Sequence, residues 1–226
     1  RLNAAGAVWG AVYGWEIPLW FAPKGCEAKD IWSYRTFNSM PHIGAECRAV
    51  RETAGLFEMT PMAKFEVSGP GAEAWLNRTL ANRMPRRIGG IVLAHLLTHK
   101  GTIRCEFTVT RLDEAHFYLV GTPRGERHDF DVLQKALPVD GTVTLSNVTA
   151  ERGGLTLVGP KARDILRDLV DGDLGNDAFP WMSAQALTVG LASDVRMMRI
   201  NYEGELGWEL YHPIAYNRHL FEEICR

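Results

Sequence analysis

The sequence predicts an α+β protein built from two tandem ferredoxin-like (split βαβ) units with antiparallel sheets. Three observations carry that expectation. Phe65-Glu-Val-Ser-Gly-Pro-Gly-Ala-Glu-Ala-Trp-Leu returns as Leu155-Thr-Leu-Val-Gly-Pro-Lys-Ala-Arg-Asp-Ile-Leu at an offset of 90 residues. Each copy then runs on into segments that alternate apolar and polar residues, the pattern of half-buried strands. One repetition marks a duplicated module, not a solenoid, which needs roughly three or more repeats. Strand, helix, hairpin and closing helix describe a split βαβ unit with helices on one face of its sheet.

The elements follow in order. Residues 1–35 hold Trp9, Trp15, Trp20 and Trp32 with Tyr13, Phe21 and Tyr34, punctuated by Gly and Pro and without a clean period. That reads as an irregular aromatic arm packed on the body. A helix is expected over 46–56, with Cys47, Val50 and Ala54 on one face and Gly55 as its cap. A strand over 63–67 and the turn Ser68-Gly-Pro-Gly lead into a helix with Ala72, Trp75, Leu76 and Leu80 on its apolar face. Pro70 suits a helix start, where its missing N–H goes unused. Strands over 91–97, 103–111 and 117–120 and a helix over 130–137 complete the first unit. In the second, strands over 195–202 and 208–211 flank a turn at 203–207. The domains are therefore 1–50 (arm and helix), 51–145 (first unit) and 146–226 (second unit). The chain starts at Arg1 without a leader pattern and stops inside the amphipathic run Leu220, Phe221, Ile224, so a piece of a longer protein is expected.

Composition excludes several classes. Apolar residues at 46% and charged residues at 23% fit an ordinary globular chain, not a disordered or collagen-like one. The balance of 25 basic against 27 acidic residues leaves no field for nucleic acid or an anionic membrane. Cys26, Cys47, Cys105 and Cys225 are far apart with no CxxC, which argues against a disulfide scaffold or zinc ribbon. A reducing compartment is expected, the cytoplasm or the mitochondrial matrix. No apolar run reaches the ~18 residues of a membrane span.

The chemistry narrows to carboxylates. The Gly-Pro turns lack a phosphate-loop pattern, and their prolines remove donors a phosphate would use. His95 and His99 sit in a strand and its turn, so their spacing of four does not make a metal site. Cys105 alternates with Phe107 and Val109 and reads as core. That puts Glu106 on the opposite face with Thr108 and Thr110. Glu209 lies inside Trp-Glu-Leu-Tyr, an acid in an apolar strand whose burial must be offset by partners.

Several motifs now carry a resemblance: Glu46-Cys-Arg-Ala-Val-Arg-Glu-Thr-Ala-Gly-Leu-Phe-Glu-Met-Thr, the two Gly-Pro units, Gly101-Thr-Ile-Arg-Cys-Glu, and Asn201-Tyr-Glu-Gly-Glu-Leu-Gly-Trp-Glu-Leu. Together they resemble the folate-binding domain of the glycine-cleavage T-protein (aminomethyltransferase) family. The arm Gly14-Trp-Glu-Ile-Pro-Leu-Trp-Phe-Ala and the run from Lys64 resemble most the folate half of dimethylglycine and sarcosine dehydrogenases, where an FAD-dependent domain comes first.

The resemblance implies tetrahydrofolate as cofactor, with Glu209 as pterin anchor, Tyr202 as pocket tyrosine and Glu106 at the catalytic aspartate position. Leu93 stands where the T-protein has a pocket tyrosine and Thr122 where it has an asparagine. It further implies an N-methyl amine, or its iminium or formaldehyde product, as partner, with the one-carbon unit captured as 5,10-methylenetetrahydrofolate. FAD and a C-terminal barrel would lie in parts of the protein outside this sequence, and no metal is needed. Two alternatives stand beside this reading: a folate-binding or structural module without catalysis, and a demethylase of another methylated metabolite. Arg83, Arg86 and Arg87 form a basic turn that is either simply solvated or steers a polyglutamate tail.

Overall fold

Alternating side chains give each sheet one face for its helices and another for a second sheet. The computed structural model describes residues 2–12 and 14–226, without the side chain of Trp15. Tyr13 of the expected aromatic arm thus lies outside the described residues. The arm itself is more regular than expected: β1 (Ala7–Val12) and β2 (Trp15–Phe21) form an antiparallel hairpin. Its buried side chains, Val8, Trp20 and Ala22, make a small cluster of their own. Trp20 stacks on His42 at 5.4 Å and donates its Nε1–H to Asp30 at 2.7 Å. Trp32 and Tyr34 stay exposed, so the arm does not bury its aromatic residues as a set.

The expected helix over 46–56 is displaced. α1 (Met40–Glu52) begins earlier, with Pro41 in its first turn, and buries no residue. Gly55 does not cap it but opens β3 (Gly55–Glu58), which sends Leu56 into a core. The first unit follows as β4 (Ala63–Ser68), α2 (Ala72–Thr79), β5 (Leu80–Ala81), β6 (Ile91–Leu97), β7 (Ile103–Asp113), β8 (His116–Gly121), α3 (Glu126–Lys135) and β9 (Thr144–Asn147). α3 starts four residues before the expected 130, with Glu126 and Asp129 in its first turn, where the helix dipole favours acids. The second unit is β10 (Arg152–Val158), α4 (Ala162–Arg167), β11 (Ala184–Val189), β12 (Ala192–Met198), β13 (Gly207–Pro213) and α5 (Asn217–Ile224). β11 has no counterpart among the expected strands. The strand expected over 195–202 ends at Met198, because Asn201 closes a loop by donating to Glu205 O (2.8 Å) and accepting from Gly204 N (3.0 Å).

The strands form a six-stranded antiparallel sheet, β5-β6-β7-β8-β4-β9, and a five-stranded one, β11-β12-β13-β10-β3. Each is covered by its own helices. Phe65, Trp75, Leu76, Phe107, Phe117 and Leu133 fill the first core; Leu155, Leu166, Phe179, Trp208, Leu210 and Leu220 fill the second. The free faces of the two sheets pack on one another through Ile91, Tyr118, Val120, Met198 and Tyr211. Tyr118 and Tyr211 meet edge to face at 5.6 Å across this seam. The layers are helices, sheet, sheet, helices.

The two Gly-Pro turns do the same structural job. Gly69 (φ +112°) and Gly159 (φ +122°) sit where a Cβ would lie 2.4 Å from Thr142 O and 2.6 Å from Thr53 O. Only glycine fits such a conformation and approach. Thr142 leads into β9 and Thr53 into β3, so β3 occupies in the second sheet the edge place that β9 occupies in the first.

Candidate active site in the seam between the sheets

Alternation along β7 sends Phe107 and Val109 into the first core and Glu106 with Thr108 to the seam. Along β13 it buries Trp208 and Leu210 in the second core and turns Glu209 and Tyr211 to the same seam. The two acids, from different sheets, therefore line one cleft, closed by Met62, Val120, Thr122 and Tyr202. Glu106, Thr122, Tyr202 and Glu209 are brought together. Leu93 is not: it lies opposite Thr108 in the β6–β7 register, is 39% exposed and does not line the cleft.

Glu209 is only 6% exposed. Its Oε2 accepts the Tyr211 hydroxyl at 2.9 Å, and among the described residues no donor reaches Oε1. Burial pushes its carboxyl up to about 7; the Tyr211 hydrogen bond pulls the other way, and the charge of Glu203 adds to the rise. Glu106 is about one-third exposed and engaged at both oxygens. His95 Nε2 lies 2.7 Å from Oε2, and the Tyr202 hydroxyl donates to Oε1 at 3.3 Å.

Among the described residues no lysine or arginine lines this cleft. An anionic group does not fit there; a neutral ring presenting adjacent N–H donors does, because an open carboxylate oxygen in a nearly dry site needs that kind of partner. The residues present thus fit a pterin. Among the described residues no three His, Cys, Asp or Glu side chains converge as a metal site would require. The Cys105 thiol is pushed up to about 12 by burial and by Asp129, which keeps it protonated. Arg83, Arg86 and Arg87 lie between β5 and β6 and do not line the cleft.

Tyr211, His95 and Met62 are among the lining or adjoining residues that the sequence reading does not assign to the site. Tyr211 shares Glu209's face at a spacing of two, which is a legible signal. His95 faces Glu106 across the β6–β7 hairpin only because the register shifts between Leu96 and Leu97; counting back from the turn would set it opposite Cys105. Met62 follows no period, and nothing in the sequence marks it.

A family model described as the GCVT N-terminal domain matches residues 1–226. Mitochondrial dimethylglycine dehydrogenase of Mus musculus is 33% identical over 214 residues, covering 93% of this chain and 24% of that protein. The mitochondrial pyruvate dehydrogenase phosphatase regulatory subunit of Mus musculus is 29% identical over 229 residues, covering 99% of this chain and 26% of that protein. Among solved structures, the glycine cleavage system aminomethyltransferase T from Bartonella henselae superposes with a TM-score of 0.78 at 29% identity, over 98% of this chain and 54% of that one. The chain spans about a quarter of the length of the curated relatives it matches. With the family model matched from end to end and the layered fold shared with an aminomethyltransferase, the chain belongs to the GCVT family of aminomethyltransferase-like domains.

Proposed function

We propose that this chain binds tetrahydrofolate in the seam cleft and serves the transfer of a one-carbon unit, as part of a longer protein of the dimethylglycine dehydrogenase type. The observation that carries this reading is Glu209: a buried carboxylate with one oxygen free, in a cleft lined by no cation among the described residues. Glu209 would accept the paired donors of the pterin, Tyr211 would hold Glu209 in place, and Met62 and Val120 would exclude water from one side of the ring. Tetrahydrofolate, when bound, supplies the nitrogens that capture a one-carbon unit at the formaldehyde or iminium level. Glu106 would face the reacting centre, take up a proton on Oε1 and offset developing positive charge. Thr122 borders the same cleft and would contact the ligand. Tyr202 would set the position of Oε1.

Calorimetry of tetrahydrofolate binding tests this reading. Glu209→Gln replaces an acceptor by a donor and removes the charge, and a loss of about 2 to 4 kcal/mol, roughly 30- to 1000-fold in Kd, is expected. Unchanged affinity would remove Glu209, and with it the folate reading, from the cleft.

One observation favours a second reading, a folate-binding or structural module without turnover: the similarity over nearly the whole chain to a protein named as a regulatory subunit. That reading keeps the binding result and expects no product from the full protein given an N-methyl amine. Formation of 5,10-methylenetetrahydrofolate in a single turnover would rule it out.

A further inference from the structure

Glutamate is longer and looser than aspartate by one methylene, so a glutamate at a reacting position must be held from outside. The structure shows what holds it. His95 lies directly opposite Glu106 in the β6–β7 register, and its Nε2 stands 2.7 Å from Glu106 Oε2. A bulge between Leu96 and Leu97 interrupts this same pairing beside the two residues, the kind of irregularity that re-aims a side chain next to a site. The two side chains are each about one-third exposed (31% and 36%), so neither is simply filling the interior. Tyr202, from the loop after β12, reaches the other oxygen at 3.3 Å. The carboxylate is thus clamped on Oε2 from its own sheet and touched on Oε1 from the other.

We propose that His95 is the positioning residue of Glu106: its Nε2–H fixes Oε2 and leaves Oε1 as the oxygen that faces the cleft and takes up the proton. The inference rests on the reading of Glu106 as the carboxylate of the reaction. A free glutamate side chain loses rotamer entropy on being ordered, and His95 offsets that loss before any ligand arrives. The donor is short and directed at a charged acceptor, which places it among the stronger hydrogen bonds. β5, the strand on the other side of β6, contributes only Leu80 and Ala81, so no charged side chain of that strand competes for the ring. His95 does not line the cleft, and its loss should leave binding alone.

Two measurements test the inference. The first needs no ligand: long-range proton–nitrogen spectra of the His95 ring at mildly alkaline pH. The proton is expected on Nε2 in the wild type and distributed over both nitrogens in Glu106→Ala; the same tautomer ratio in both would overturn the inference. The second is single-turnover product formation in the full protein. His95→Leu should slow it about 100-fold, the scale of a misplacement of about 1 Å, with tetrahydrofolate affinity within about twofold of wild type. His95→Gln places an amide N–H at about the same reach and should restore the rate to within about fivefold. A wild-type rate for His95→Leu, or no recovery in His95→Gln, overturns the positioning role. The parent reading fails separately: a wild-type rate for Glu106→Gln removes Glu106 from the reaction, whereas a slow Glu106→Gln beside a fast His95→Leu condemns only the inference.

Discussion

The seam between the sheets has two ends, related by the duplication, and they have opposite electrostatics. Adding the offset of 90 maps Met62 onto Arg152 and Glu66 onto Thr156. Strand register completes the map. Tyr118 pairs with Glu66 as Glu209 pairs with Thr156, so Tyr118 holds the place of Glu209. Thr108 pairs with Val120 as Arg196 pairs with Tyr211, so Arg196 holds the place of Thr108, and Asp194 that of Glu106. At the open end two acids line a cleft with no cation among the described residues. At the other, Glu66 forms an ion pair with Arg196 at 2.7 Å and meets His116 at 3.1 Å, Arg196 lies over the Tyr118 ring at 4.6 Å, and Arg152 pairs with Asp194 at 2.7 Å. One scaffold yields a carboxylate-lined cleft at one end and an ion-paired cluster at the other; a handful of side chains decides which.

The two glutamates record the difference. Burial without a cation pushes Glu209 up to about 7, while the His116 hydrogen bond and the Arg196 charge draw Glu66 down to about 2 against its own burial. The same chemical group is destabilised at one end and stabilised at the other.

The largest effect should come from breaking the ion-paired cluster. Arg196→Met leaves the half-buried Glu66 with His116 alone and uncovers the Tyr118 ring, and a loss of about 3 kcal/mol in unfolding free energy is expected by denaturant titration. A loss below about 1 kcal/mol would mean that the pair is worth no more than a surface bridge.

Next in size is the pH dependence. Glu66 has a folded value below the 4.5 of the free side chain, so its contribution is present above 4.5 and lost as pH falls towards 2. Glu209 has a folded value above 4.5, so its contribution is present below 4.5 and lost as pH rises through 7. Each window is worth at most about 3 kcal/mol, less after solvent screening of the partly exposed Glu66. Glu66→Gln should flatten the acid limb of stability against pH, and Glu209→Gln the decline towards neutrality. Identical profiles for the two variants would erase the contrast. The same shift implies that a ligand presenting N–H donors to Glu209 binds more tightly as pH rises through 7, when the carboxylate form predominates.

The smallest effect sharpens the comparison by transplanting one residue. Thr108→Arg places the arginine of the ion-paired cluster in the open end, where it can neutralise Glu106 or Glu209. A loss of about 2 kcal/mol in tetrahydrofolate binding, roughly 30-fold, is expected without loss of fold. Unaltered binding would show that the open end does not depend on the absence of a cation.

Much of this architecture is legible in the sequence. The repeat marks the two units, and period-two alternation puts Glu106 and Glu209 on the faces that meet. What alternation cannot supply is which sheet face meets which. Nor does it supply the register shift between Leu96 and Leu97 that sets His95, whose spacing to His99 does not make a metal site, opposite Glu106, or the position of Leu93, which shares the face of Thr108 yet lies outside the cleft lining. β11 escapes a pattern-based reading because Ala184-Gln-Ala-Leu-Thr-Val has small residues where a strand signal wants bulk, and only its pairing with β12 makes it a strand. The ends of α1 are equally hard to read, because the helix buries nothing and no apolar stripe fixes them.

The edge place of β3 in the second sheet has a consequence for how the chain reaches this state. β3 closes the second sheet, yet the entire first unit lies between it and β10, with Leu155 pairing to Glu58 across that whole stretch of sequence. The second half therefore cannot be completed as a local event: its sheet waits for a segment made long before it, held in reserve while the first unit forms. Pairings of such separation slow folding, and until β3 docks, β10 offers an open strand edge to any other chain. The duplication that gave the molecule two similar halves also ties them into one cooperative whole, in which cutting the chain between the units would separate neither cleanly from the other.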